Sequence, residues 1–406
     1  MTKQVMKKKE GIAQKKSFSD FKNNFGFNAE NGNKGVITAT NADKDMDWLI
    51  MPKGYQDALK LPGIPIGFVS TVCGHSNTGK STIVNQAITS AQHKNMIPVI
   101  IDTENNFSFE YAIQMGMKAT PIYGDVEKEI VDEETGEITD VVTENKIVNW
   151  EGDFIYLNSA MLAQKYGFRN YSTGKDESKC RKLAVIEDVA RCINELLDAQ
   201  DNNDLDRGLV FIWDSVGSIG SFKSYNSQVG NNMWDAGSIS QAFNTIVNNR
   251  IPGSRKTSSE YSNTLIFVNK VWMDNTSSPV GPASITLKGG EQIYYGSRLI
   301  ILCGGQLKSA TKKLTAISKG EKYNYGIQTK VKILKNQLSA PYNLTYEGEF
   351  CCTAHGIVAI DELDEYRKTH INDILKTLND IIKNNGKGEK EITETDIKFT
   401  EEEGTE

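Results

Sequence analysis

The string Gly74-His75-Ser76-Asn77-Thr78-Gly79-Lys80-Ser81 constrains this chain more than any other feature. It fits G-x-x-x-x-G-K-[ST] at every fixed position. An apolar run at 67–73 (GFVSTVC) precedes it, and a helical pattern of Ile83, Val84, Ala87, Ile88 and Ala91 follows. That strand–loop–helix setting is what the chemistry needs. Glycines let the backbone wrap closely round a polyphosphate with its N–H groups inward, and the helix offers its N-terminus to the anion. On this reading Gly74, His75, Ser76, Asn77, Thr78, Gly79, Lys80, Ser81 and Thr82 bind a nucleotide. Lys80 reaches the outer phosphates and Ser81 ligates Mg²⁺. ATP and GTP both stay open at this point, although no guanine-reading N-K-x-D is completed at Asn269-Lys270.

The rest of the chain has a matching rhythm. Further apolar runs lie at 96–101, 209–213, 264–268 and 299–303. They are continuous rather than alternating, as in strands buried on both faces. Helical patterns lie between them, one at 183–199. Strands alternating with helices predict an α/β fold with a mainly parallel sheet flanked by helices. A polar hairpin turning at Thr135-Gly136 is expected to make 121–153 an insertion, either decoration or a partner contact. Residues 361–383 read as one amphipathic helix.

Two carboxylates follow from strand ends. Asp214 closes the run at 209–213, where a carboxylate would support Mg²⁺; an ordinary turn cap is the plainer alternative. Asp102-Thr103-Glu104 ends the run at 96–101, in the crevice where α/β sheets bind ligands. Glu104 there could orient or deprotonate a water. Asp102 competes for that role, and a helix cap is the structural alternative.

Composition excludes other classes. With 406 residues the chain accommodates two to three domains, or one large domain with appendages. It is 38% hydrophobic and 24% charged, so it is neither broadly disordered nor fibrous. No apolar run is long enough to span a bilayer, and the lysine-rich start lacks the apolar stretch of a secretory signal. Six scattered cysteines without a C-x-x-C pair predict reduced thiols in a cytoplasm rather than disulfides or zinc. The net charge of −6 is unevenly spread. Residues 1–16 hold six Lys and one Glu, and residues 386–406 hold eight acidic residues and three Lys. Phe18, Phe21 and Phe25 make a short helical stripe that packs either on its own chain or on a neighbour.

The order of these motifs, GHSNTGKS, VIIDTEN, LVFIWDSVGS, then SNTLIFVNKV at 262–271 and TKVKILKNQLSAPY at 329–342, resembles the RecA family of homologous-recombination ATPases, in particular its phage-type recombinases. The resemblance covers about 45–345, less the insertion. It implies a RecA-like P-loop ATPase core at 46–345, after a basic arm and oligomerisation helix at 1–45. A small helical element at 346–385 and a disordered acidic tail at 386–406 would follow. It implies ATP and Mg²⁺ as ligands, Glu104 as the catalytic carboxylate, and Lys270 in place of the family's γ-phosphate-sensing Gln. Lys335 matches the first of two family lysines that reach a neighbour's ATP; Gln337 replaces the second.

The resemblance also implies two mobile DNA loops. One is near 222–237, with Met233 and Trp234. The other is near 272–290, with Trp272, Met273, Lys288, Gly289 and Gly290. Both are rich in Gly, Asn and Ser, and large apolar groups there could stack bases. Lys308, Lys312, Lys313, Lys319 and Lys322 could add phosphate contacts. The expected activity is a DNA-dependent ATPase that forms a helical filament on single-stranded DNA and exchanges strands with a homologous duplex. It would work in the cytoplasm (a host's, for a phage protein), with a single-strand-binding protein and a loader as partners and no membrane. The acidic tail would slow duplex entry by repelling phosphates. Two rival readings stand beside this one. A regulatory paralogue would bind ATP without strand exchange. A ring-forming helicase would need an arginine finger, for which Arg298 is the nearest candidate.

Overall fold

A computed structural model of the chain describes residues 43–131, 138–227, 232–274, 284–287, 291–305, 311–385 and 391–403. The basic arm, the Phe18/Phe21/Phe25 stripe, the hairpin tip at Thr135-Gly136, Lys288, Gly289, Gly290 and Lys308 lie outside these residues.

In chain order the strands are β1 (Trp48–Ile50), β2 (Gly63–Pro65), β3 (Val69–Gly74), β4 (Ile97–Asp102), β5 (Thr120–Val131), β6 (Ile138–Glu151), β7 (Ile155–Asn158), β8 (Arg169–Asn170), β9 (Lys175–Asp176) and β10 (Leu209–Val216). After them come β11 (Thr264–Asn269), β12 (Val271–Asp274), β13 (Ser284–Leu287), β14 (Leu299–Cys303), β15 (Thr311–Ser318), β16 (Glu321–Asn336), β17 (Glu347–Thr353), β18 (Gly356–Val358) and β19 (Lys398–Glu403). The central sheet runs β18-β17-β16-β14-β3-β11-β10-β4-β7, with β15 on β16 and β19 on β15. The stretch from β14 to β7 is parallel throughout. From β16 outward the pairing turns antiparallel.

The apolar runs become strands because both faces of the sheet are covered. Ile100, Val210, Ile212, Ile266 and Val268 pack on one side with Ile83, Val84, Ala87 and Ile88 of the Lys80–His93 helix. Their alternating neighbours Val99, Ile101, Phe211, Trp213 and Phe267 pack on the other with Ile186, Val189 and Ile193 of the Ile186–Asp201 helix. The Trp213 ring stacks on Phe243 at 5.1 Å. Below that helix, Arg181 donates two hydrogen bonds to Asp188 at 3.0 and 2.9 Å, with both side chains out of solvent. Tyr171 and the Val185 amide fill the rest of that carboxylate.

The segment expected to be an insertion forms two long strands, β5 pairing antiparallel with β6. Four expectations need correction. The element at 346–385 is not wholly helical, because its first part forms β17 and β18, which continue the sheet. The acidic tail is not wholly disordered: β19 pairs with β15, Phe399 meets the Tyr325 ring, and Glu402 pairs with Lys322 at 2.7 Å. The single helix over 361–383 is two, Leu363–Thr369 and Ile371–Asn384, broken at His370. The loop near 222–237 is largely helical. Helices Phe222–Ser227 and Asn232–Thr245 flank the undescribed 228–231, and Asp235 ties them by accepting from Ser221 N–H and Ser224 Oγ. Met233 and Trp234 therefore stand on a helix, and Trp272 and Met273 on β12, which pairs with β13. No described helix is long and apolar enough to cross a membrane.

Candidate nucleotide site

The loop from Gly74 to Lys80 links β3 to the Lys80–His93 helix. Two of its glycines are required by geometry. Gly74 has φ +153° and a Cβ there would lie 2.4 Å from the Cys303 carbonyl oxygen; Gly79 has φ +91° and a Cβ would lie 2.6 Å from Cys352 Sγ. Thr329 Oγ1 donates to Thr78 O at 3.0 Å, so β16 fixes the loop from the other side. Gly79 sits at the helix N-cap and supplies no side-chain hydrogen bond, which leaves the first amides free for an anion. The Lys80 ammonium donates to His75 O, and burial holds its pKa below the ordinary lysine range.

Beside this loop is a cavity of about 460 Å³, at the C-terminal ends of the parallel strands. Ser76, Asn77, Lys80 and Ser81 line it from the loop and the helix start, Asp102 and Glu104 from β4 and its end, Asp214 and Ser215 from β10, and Lys270 from just past β11. Lys270 Nζ lies 2.9 Å from Glu104 Oε1, and Ser215 Oγ donates to the same oxygen. Burial pushes the Glu104 carboxyl up, but the hydrogen bonds from Ser215 and Lys270 outweigh it and hold it below the ordinary range. Asp102 is differently employed. Its oxygens accept from the Asn106 and Phe107 amides at 3.2 and 3.0 Å and from Tyr156 Oη at 3.1 Å. Asp214 has its pKa pushed up to about 6, first by burial and then by the charges of Glu104 and Asp102. A partly buried, crowded carboxylate of this kind is relieved by a divalent cation, and Ser81 supplies a hydroxyl on the same cavity wall. The Asp214–Ser215 peptide is cis.

Several residues were not singled out from sequence. Ser215 follows Asp214 directly, so the dipeptide was a usable signal. Tyr111 lines both this cavity and a second one of about 500 Å³ on the outer side of the loop. Its hydroxyl is within 3.0 Å of Thr82 Oγ1 and donates to Thr353 O. Nothing in the local pattern marks Tyr111, or the distant Cys352, Thr353 and Ala354 that wall the second cavity.

Lys335 is not brought to this cavity. Its register partner is Ile300, near the start of β14, and its ammonium donates to Tyr294 O and Tyr295 O at 2.6 and 3.0 Å. Burial holds its pKa down. Arg298 is also remote: its amide donates to Val69 O, at the end of β3 opposite the glycine loop.

The fold and site are those of a mixed α/β protein with a glycine-rich loop between a central parallel strand and a helix. Residues 29–159 match the family model for the RecA N-terminal domain. That span holds the loop, Asp102 and Glu104, and the match supports RecA-family membership and a function of the recombinase or ATPase type. No curated protein matches the chain significantly.

Proposed function

We propose that the chain is an ATP-dependent DNA recombinase, which hydrolyses ATP at the cavity beside Lys80 and assembles as a filament on single-stranded DNA. The observation that carries this reading is the convergence of Lys80, Ser81, Glu104, Asp214 and Lys270 on one cavity next to an open helix N-terminus. The loop amides and Lys80 would hold the β- and γ-phosphates. Ser81 and Asp214 would hold Mg²⁺, which neutralises charge on the phosphates when bound. Glu104 would orient the attacking water and accept its proton, since Asp102 is committed to backbone amides. Lys270 would turn from Glu104 to the γ-phosphate when nucleotide enters, leaving the carboxylate to the water. The Tyr111 ring would border the base.

DNA would be held by the segments around 222–237 and 272–290, with the bound γ-phosphate favouring the gripping state. Lys335, spent on its own chain's carbonyls, would contact a neighbour's nucleotide only after release from Tyr294 and Tyr295.

The test is ATP hydrolysis with and without single-stranded DNA, using Lys80→Ala and Glu104→Ala as controls. Stimulation by DNA that both variants lose supports the reading, and strand exchange is assayed next. Nucleotide binding without DNA-stimulated turnover replaces it with the regulatory ATP-binding reading.

A further inference from the structure

The chain has four histidines, and two of them meet outside the nucleotide cavity. His355 is in the turn between β17 and β18, and His370 is the break between the two C-terminal helices. Their rings stack with centroids 3.8 Å apart and planes 19° from parallel. Asp373, in the first turn of the Ile371–Asn384 helix, completes the group. Its Oδ2 lies 3.8 Å from His355 Nε2 and 3.6 Å from His370 Nδ1. One ligand atom from each residue falls within 4.8 Å of the others.

We propose that His355, His370 and Asp373 bind a divalent transition-metal ion of the Zn²⁺ class. A tetrahedral ion with bonds of about 2.0–2.2 Å sets its ligand atoms roughly 3.3–3.6 Å apart, so the two separations to Asp373 need to close by at most a few tenths of an ångström and that between the histidines by at most about 1.5 Å. Two imidazoles and one carboxylate suit Zn²⁺, Co²⁺ or Ni²⁺ and not the oxygen-seeking Mg²⁺ or Ca²⁺. An outer partner is already in place: His355 Nδ1 is 3.0 Å from Tyr366 Oη, which fixes the ring and leaves Nε2 for the metal. An ion lies in the plane of each imidazole it binds, so loading turns the His370 ring out of the stack while Tyr366 keeps His355 in place. A water would take the fourth position.

The site bridges two parts of the chain. Thr353 and Ala354, just before His355, wall the outer cavity beside the glycine loop. His370 and Asp373 belong to the C-terminal helices. A bound ion would therefore pin that wall to those helices without touching the nucleotide.

The test is Zn²⁺ binding to the untagged, metal-stripped full-length protein, read by competition with a chromophoric chelator, and Co²⁺ substitution read in the visible spectrum. One ion per chain with tetrahedral Co²⁺ bands is expected. His370→Ala and the exposed Asp373→Asn should each weaken binding at least about tenfold. Tyr366→Phe should weaken it by roughly 10-fold or more through the outer shell. His93→Gln, at a distant exposed histidine, should leave it unchanged. Circular dichroism separates loss of a ligand from loss of fold, and Asp373→Asn keeps the test valid if a histidine variant unfolds. Absence of stoichiometric binding overturns the proposal, as does binding unaffected by His370→Ala and Asp373→Asn in folded protein.

Discussion

Lys270 Nζ and Ser215 Oγ share a single oxygen of Glu104, the lysine at 2.9 Å. The carboxylate proposed to act on water is thus held by two donors from the ends of two neighbouring strands, β10 and β11. Removing the lysine should raise the Glu104 pKa and move the acid limb of the pH–rate profile upward. Lys270→Ala should also lower kcat by on the order of 10²-fold, if its charge stabilises the transferring phosphoryl group. Glu104→Gln should lower kcat by about 10²–10⁴-fold and leave nucleotide affinity nearly unchanged. Steady-state hydrolysis across pH, paired with equilibrium nucleotide binding, separates the two effects.

Asp214 predicts a link between protons and Mg²⁺. Its folded pKa of about 6 lies above the ordinary carboxylate value. Without metal, the stability this group contributes is complete below the unfolded pKa of about 4 and is lost as pH rises through about 6. Mg²⁺ competes with that proton, so its affinity should fall as pH drops through the same window. Thermal melts of the metal-free protein between these limits, and Mg²⁺ titrations at each pH, read both. Asp214→Asn should flatten both dependences.

The Arg181–Asp188 pair is a stability element rather than part of the site. Both groups are buried, and four donors converge on the carboxylate. Arg181→Met leaves that charge uncompensated and should cost about 3–5 kcal/mol in urea denaturation. Replacing both partners with apolar residues should cost clearly less than the two single losses added together.

The C-terminus calls for a different experiment from the one its charge first suggests. Deletion of 386–406 would remove β19 as well as negative charge. It would open the β15 edge and strip Phe399 from Tyr325 and the Arg367 guanidinium. That deletion should lower the melting temperature and promote aggregation, read by calorimetry and light scattering. Glu391→Gln with Glu394→Gln removes charge upstream of the strand. This pair should speed duplex uptake with little change in melting temperature, if the tail repels DNA.

The parallel strands and the glycine loop were legible because each has a local cause. Strands buried on both faces leave unbroken apolar runs, and the loop's backbone demands glycine at 74 and 79. Glu104 and Asp214 were legible for a similar reason, as carboxylates just past those runs. The antiparallel extension was not. β15 and β16 mix polar and apolar residues and carry several charges, because parts of them face solvent, and β18 is only three residues long. The break at His370 was hidden too, since Leu363, Tyr366, Ile374, Leu378 and Ile382 keep helical spacing across it. The contact of the Lys335 ammonium with the Tyr294 and Tyr295 carbonyls was hidden as well, because it joins segments about forty residues apart that no local pattern links.

The contact between Gly79 and Cys352 reaches beyond the folded molecule to its synthesis. The glycine loop is made well before the strands that press against it: Thr329, which bonds to Thr78, lies 251 residues further along the chain, and Cys352 later still. A nascent chain that has exposed its whole glycine motif still lacks the wall that shapes it. Nucleotide capture should therefore be deferred until β16 and β17 have been made, and fragments ending before β16 should bind nucleotide poorly, although they carry every residue of the motif.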